Sequence, residues 1–490
     1  MLKTKKYFLS FLVLILIIFT SIAYLGQIDQ SFLNQKYKSS NYVISSNKPT
    51  GSEDKNKFDQ KQDVSFNFNF VQAYPWVKGC NLNSSLFSNF DLSNQIELDY
   101  SQPSPSETHE IRIVRGVLVY FPIEQTHNFQ YEFRWLYRSW IEMQKYEPTK
   151  WRTDLIVFIK NDQKLFNDSQ LFFNQLNCSF LHKRQSPLDH PMCTLIDYTP
   201  LKDRNLPTNN LNFKNNKELY DFVLKKINIF DDLDQNLNIF YNFLKKRLST
   251  YGYVDSILMG FDGYDYLKKS GYDYLIRSDM DVFLTPLFAK WLPRNCNDFY
   301  VGRGGYSSEF NTNRLGRIAA NLGFEFASST NLGSTWYSTP DQFRLVSYLT
   351  LFGMAYLSNE EFSQPEREGK LGILLWPDWH YGVLLLYGQN LIMNHLIKTQ
   401  QLNIIKMIEY LDYPSHYNTD VHKIIHIHVF HGGDMFSKFE FKAGKYDNLT
   451  TSVDNPDMAK YYSLRMAIEG KRMSCQELNK LLWIESASKS

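Results

Sequence analysis

The sequence predicts an α/β fold with a mostly parallel central sheet and helices on both faces. Three observations lead there. Apolar, β-rich runs alternate along the chain with runs of helical periodicity. The strand-like runs are largely apolar and flanked by amphipathic helices, as a parallel sheet covered on two sides requires. With 490 residues and 43% hydrophobic content, the chain also has ample apolar material for a large core.

The elements follow in order. IRIVRGVLVYF (111–121) is a strand, EFRWLYRSWIEM (132–143) sets Phe133, Leu136, Trp140 and Met143 on one helical face, and DLIVFIK (154–160) is again a strand. This is a βαβ opening. CTLIDYT (193–199) makes a third strand, and a polar, Asn-rich insertion runs from Lys202 to Asn216. Helical periodicity resumes from Glu218 to Leu248, and the sheet resumes at YDYLIRSD (272–279). Further strands are expected at DFYVGRGG (298–305), LGSTWYS (332–338) and KIIHIHVFH (423–431). Helices are expected at DQFRLVSYLTLFGMAYL (341–357) and HYGVLLLYGQNLIMNHL (380–396). No internal repeat is present.

The N-terminus carries an address. Lys3, Lys5 and Lys6 precede an uncharged stretch from Tyr7 to Gly26, about long enough to span a bilayer. With the lysines held in the cytosol, the remainder faces the secretory lumen. A cleaved signal peptide is the rival reading, since Ser21 and Ala23 form a small-x-small site. The expected organisation is a cytosolic tail and signal anchor over 1–26, a flexible polar stem over 27–75 and a lumenal domain over 76–485. This layout points to the Golgi or endoplasmic reticulum membrane, single-pass and type II.

Composition narrows the function by exclusion. With 53 basic and 51 acidic residues the net charge is +2, so no nucleic-acid partner is expected. The five cysteines, Cys80, Cys178, Cys193, Cys296 and Cys475, lack zinc-type spacing. They allow at most two disulfides, of which Cys178–Cys193 is the pair most easily closed. N-x-S/T sites at Asn83, Asn167, Asn177 and Asn448 agree with a lumenal address.

The chemistry is expected at YDYLIRSDMDVFLTP (272–286). Asp279 and Asp281 leave the end of an apolar strand, where open α/β sheets bind their ligands. Two carboxylates at i, i+2 in an extended segment can face one hard cation. The bland alternative is a solvated turn with one carboxylate paired to Arg277. In KIIHIHVFHGG, His426 and His428 share a strand face, and His431 stands beside Gly432 and Gly433, a pair flexible enough to let backbone approach phosphate. Imidazole suits Mn²⁺ as a third ligand. Lys438 follows and could contact a diphosphate. In WPDWHYG (376–382), Asp378 lies between two tryptophans with His380 just after it. It could serve as a general base, with Trp376 or Trp379 stacking an acceptor, or as a plain helix N-cap.

This order of segments resembles GT-A-fold glycosyltransferases: a lumenal anchor, a βαβ half, a strand ending in DxD and a late histidine beside glycine and lysine. The resemblance implies Mn²⁺ (or Mg²⁺) held by Asp279, Asp281 and either His428 or His431. It further implies a nucleotide sugar as donor and a glycan or glycoprotein as acceptor. NLGSTWYSTPDQF (331–343) resembles elements that retaining members place around the sugar. This makes Asn331, Asp341 and Gln342 candidates for sugar contact, with Asp341 also standing among the catalytic candidates beside Asp378 and His380. The runs YLIRSDMDVFLTP, FYVGRGGY, NLGSTWY, PDWHYGVLLLYG and HIHVFHGG…FSKFEFKAGKY resemble a eukaryotic family of lumenal proteins over about 111–446. The chain departs from the His-x-x-Gly-x-x-Lys spacing of better-studied transferases, so the choice of histidine stays open.

Two other functions compete. A haloacid-dehalogenase phosphatase also places DxD after a strand, but it needs Thr or Val where this chain has Phe283. A non-catalytic sugar-binding or scaffold protein on the same fold would keep an aromatic groove without turnover, and it has no need of the acidic pair.

Overall fold

The computed structural model describes residues 113–487 apart from 161, 181–190, 208–212, 231–235, 294–297, 369–377, 430–435 and 450–454. The expected anchor and stem therefore lie outside the described residues. So do His431, Gly432, Gly433, Trp376, Cys80, Cys296 and Asn83. Among the described residues no helix is long and apolar enough to cross a membrane.

Eleven strands are described: β1 (Ile113–Phe121), β2 (Trp151–Ile159), β3 (Cys178–Phe180), β4 (Cys193–Asp197), β5 (Tyr274–Arg277), β6 (Val282–Leu284), β7 (Asp298–Arg303), β8 (Leu332–Ser338), β9 (Asn403–Lys406), β10 (Tyr413–Pro414) and β11 (His426–His428). Eight of them form one sheet in the order β3-β4-β2-β1-β5-β8-β7-β9. All its neighbouring pairs are parallel except those of β8, which runs antiparallel to both β5 and β7. The sheet is thus mostly parallel, as predicted.

Strand alternation shows both faces covered. In β1, Val114 and Leu118 join one apolar cluster, while Ile113, Val117, Val119 and Phe121 join another. In β2, Ile156 and Phe158 follow the first set, and Leu155, Val157 and Ile159 the second. The helix Thr126–Gln144 contributes Phe133, Leu136, Tyr137 and Trp140 to the second cluster. Helices Leu237–Leu248, Asp255–Asp262, Pro340–Glu360 and Leu384–Lys398 contribute to the first. The periodicity expected from Glu218 to Leu248 is two helices, Asn216–Lys226 and Leu237–Leu248.

β1 carries a buried arginine in the middle of this apolar sheet. Arg115 donates to Thr153 Oγ1 (2.9 Å), Glu147 Oε1 (2.8 Å) and the carbonyls of Phe288 (2.6 Å), Ala289 (3.0 Å) and Trp291 (3.2 Å). Those carbonyls end the helix Pro286–Lys290, where the Phe288 carbonyl also accepts from the Trp291 N–H (3.3 Å). At the sheet's far edge, Cys178 and Cys193 face each other in register across β3 and β4 and form a disulfide, the pairing expected from their separation.

His395 gives the fold a pH dependence. Its ring is buried, stacks on Phe324 at 4.6 Å, and accepts at Nδ1 from the Glu325 N–H (3.1 Å). Burial pulls its pKa down to about 4 from an ordinary 6.5. The unfolded chain therefore takes up this proton first, and stability falls as pH drops from about 6.5 to about 4. The loss is on the order of 3 kcal/mol. Unfolding free energies of wild type and His395→Gln, taken from urea titrations at pH values across that window, should diverge by that amount between its two ends.

Candidate metal centre at the sheet edge

β5 runs parallel to β1 with its carboxyl end at one edge of the sheet, where the Ser278 N–H still bonds the Leu118 carbonyl (3.0 Å). The chain then leaves through Asp279, Met280 and Asp281 and turns into β6. β6 belongs to a second, three-stranded sheet ordered β10-β11-β6, in which it pairs antiparallel with β11. His428 sits opposite Val282, and the Val429 N–H donates to the Asp281 carbonyl (3.0 Å). Backbone pairing thus fixes the late histidine beside the acidic pair.

The result is a cluster of Asp279, Asp281 and His428 whose ligand atoms all lie within 4.8 Å of one another. Two carboxylate oxygens and one imidazole nitrogen are a donor set that suits a divalent first-row ion. Asp279 is about one-third exposed, its Oδ1 3.3 Å from the Arg277 guanidinium and its Oδ2 accepting from Ser334 Oγ (3.0 Å). Asp281 is buried. Its Oδ2 accepts from Lys438 Nζ (2.7 Å), and its Oδ1 lies 3.5 Å from His428 Nε2.

The electrostatics follow from that crowding. Burial alone would raise the Asp281 carboxyl, but His428 and Lys438 outweigh it and hold the group well below the usual carboxylate range. Burial would lower His428, yet Asp281 and Asp412 drive it well above an ordinary imidazole. His426 has the opposite fate: burial dominates and pulls it down to about 4. Glu132, buried on the helix Thr126–Gln144, is raised by burial and then by the charge of Asp281.

The remaining expected residues are spread over several places. Lys438 is at the cluster. Asp341 and Gln342 stand beyond β8, and because β8 runs antiparallel to β5 they lie at the opposite edge of the sheet from Asp279. There Asp341 accepts from Tyr264 Oη (2.5 Å) and Lys268 Nζ (2.6 Å), and Gln342 is buried against Ser338. The structure thus does not bring either into the cluster. Asn331 precedes β8 in a left-handed turn (φ 56°), exposed, with its N–H on Ser307 Oγ (2.8 Å).

The segment after β7 leaves the same edge as the acidic pair. It leads to Ser308, whose hydroxyl donates to Asp378 at the start of the helix Glu309–Leu322. His380 accepts at Nδ1 from the Gly382 N–H (3.0 Å), and burial lowers its pKa. Trp379 cannot stack an acceptor. It is 2% exposed, sandwiched between Phe362 (5.1 Å) and Tyr387 (4.8 Å), with Arg314 4.1 Å from its ring.

Sequence reasoning missed Asp412, Ser334 and Thr335. Asp412 is fully buried and accepts from the Thr335 N–H (3.1 Å) and hydroxyl (2.6 Å). A signal was present in the glycines of FYVGRGGY and NLGSTWY. A Cβ on Gly302 would collide with the Asp412 carboxylate, and one on Gly333 would sit 2.7 Å from its Oδ2. NLGSTWY therefore supports the acidic cluster: Gly333 makes room for Asp412, Ser334 bonds Asp279 and Thr335 bonds Asp412.

Comparisons with known proteins add the following. Among curated proteins no sequence matches this chain. The apo crystal structure of mouse xyloside xylosyltransferase 1 is similar over 63% of this chain and 89% of that chain, with 11% sequence identity and a TM-score of 0.29. A family profile described as Domain of unknown function (DUF7164) matches residues 109–490. That match takes in the whole acidic cluster and most of the sequence, and the chain accordingly belongs to this family.

Proposed function

We propose that the chain is a metal-dependent glycosyltransferase that moves a sugar from a nucleotide-sugar donor to a hydroxyl of a glycan or glycoprotein. The observation that carries this reading is the Asp279, Asp281, His428 cluster at the carboxyl edge of a mostly parallel sheet. These three side chains would hold Mn²⁺ or Mg²⁺. When bound, such an ion supplies neutralisation of the negative charge that develops on a departing diphosphate.

The chain's own groups divide the remaining work. Lys438, now on Asp281 Oδ2, reaches the place where a diphosphate would lie and offers it a cation. Arg277 and Ser334 hold Asp279 from both sides and so orient its carboxylate. Asp378, on the same edge through its bond to Ser308, remains the candidate to accept the acceptor's proton. The Cys178–Cys193 disulfide and the exposed N-x-S/T asparagines Asn177 and Asn448 support a lumenal address for this activity. The N-terminal anchor would tether it to the Golgi or endoplasmic reticulum membrane.

A second reading is favoured by one observation. Lys438 and His428 stand against the two oxygens of Asp281 and balance its charge from within the protein, an arrangement that a non-catalytic sugar-binding protein on this fold could keep. The full chain incubated with Mn²⁺ and a panel of nucleotide sugars separates the two. Nucleoside diphosphate released from at least one donor, and lost on chelation, is the expected result. Sugar binding without release from any donor would favour the second reading.

A further inference from the structure

We infer that Asp412 is the positioning residue of the Asp279, Asp281, His428 cluster, aiming both halves of the ligand set from a single buried site. This rests on the metal-binding reading above and deepens it.

A carboxylate with no exposed surface is costly unless every oxygen is paired. Asp412 meets that condition through distant parts of the chain. Thr335 gives two hydrogen bonds, and Gly302 and Gly333 vacate the space around Oδ2. Its backbone takes the left-handed conformation (φ 54°), uncommon for a residue with a side chain. One imidazole N–H reaches its Oδ1, from His428 Nδ1 at 3.3 Å; His426 Nδ1, 3.5 Å from the same oxygen, is turned to the Asp412 backbone N–H instead.

The consequence for His428 is directional. With Nδ1 turned to Asp412, the opposite nitrogen, Nε2, is the one that faces Asp281. An N–H on Nδ1, held by a carboxylate, makes Nε2 the nitrogen that gives up its proton and offers a lone pair when a cation binds. That is the arrangement by which a carboxylate behind a histidine fixes its tautomer for a metal.

The consequence for Asp279 runs through the second imidazole. The Asp412 backbone N–H donates to His426 Nδ1 (3.4 Å), so the proton of that neutral ring sits on Nε2. Nε2 lies 2.9 Å from Ser278 Oγ and donates to it, and Ser278 Oγ–H donates onward to the Asp279 carbonyl (2.8 Å). One residue thereby fixes the ring of His428 through its side chain and the Asp279 peptide through its main chain.

The test uses the full chain and Mn²⁺ alone as probe, read by binding isotherm and by electron spin-echo modulation from a coordinated imidazole nitrogen. Wild type is expected to bind Mn²⁺ with that modulation present. Asp412→Asn is expected to bind about 10- to 100-fold more weakly, with the modulation diminished or absent. Thr335→Val keeps the charge and removes only the hydroxyl that aims Oδ1, and it should lose affinity several-fold; it decides the matter if Asp412→Asn does not fold. Variants with wild-type affinity and modulation would reduce Asp412 to a structural carboxylate and leave the metal reading intact. A wild type that binds no Mn²⁺ would overturn both.

Discussion

Replacing Asp281 with asparagine should abolish the stabilisation that Mn²⁺ and a nucleoside diphosphate give the wild-type chain, and with it transfer activity. For a ligand at 100 to 1,000 times its dissociation constant that stabilisation is about 3 to 4 kcal/mol. Asp281 is the centre of the cluster, within reach of His428 on one oxygen and Lys438 on the other. An amide there keeps the shape but presents one neutral oxygen to a cation. Transfer should fall by at least about 10³-fold, equivalent to about 4 kcal/mol in the barrier.

Lys438→Met provides the contrasting arm. The ammonium competes with a cation for Asp281 Oδ2, so its removal should tighten Mn²⁺ binding alone by several-fold and weaken binding of the diphosphate. A thermal-shift series with Mn²⁺, with diphosphate and with both reads the two signs apart. If Asp281→Asn kept the full shift, the metal-dependent reading would fail.

The largest effect on the scaffold is expected at Arg115. Arg115→Ala should destabilise the chain by about 3 to 5 kcal/mol, because Glu147 would be left as a buried charge without its guanidinium. The Ala289 and Trp291 carbonyls would also lose the guanidinium, and Phe288 would keep only the Trp291 N–H. An apolar pair, Arg115→Met with Glu147→Leu, should recover much of the loss, since replacing both partners removes the unpaired charge. Chemical denaturation of the two single variants and the double gives the coupling directly. Wild-type stability in Arg115→Ala would show that this network contributes nothing to the fold.

The scaffold was largely legible in the sequence. β1, β2, β4, β7 and β8 fall where apolar β-rich runs predict them, because burial on both faces writes itself into every position of a strand. β3, β6, β9 and β10 were not predicted as separate strands. β3, β6 and β10 have two or three residues each, too few for a period to show, and depend on pairing with distant partners. The acidic pair was legible because two carboxylates after an apolar strand contradict local burial. The positions of Asp341 and Gln342 were not, since no local pattern says whether a strand runs parallel or antiparallel to its neighbour. Asp412 was hidden for a related reason. In LDYPS nothing marks it, and only the three-dimensional meeting of Gly302, Gly333 and Thr335 gives it a role.

The pairing of β6 with β11 also sets a schedule for the chain's biosynthesis. A ribosome releases both aspartates well before the histidine that completes their cluster, and β11 lies between β10 and β6, both of which are made before it. A nascent chain halted anywhere between the two segments would carry an acidic half-site without its imidazole. The ligand set is therefore completed late in synthesis, and a chain cut short before His426 would hold most of its sheet and only the two carboxylates of the cluster.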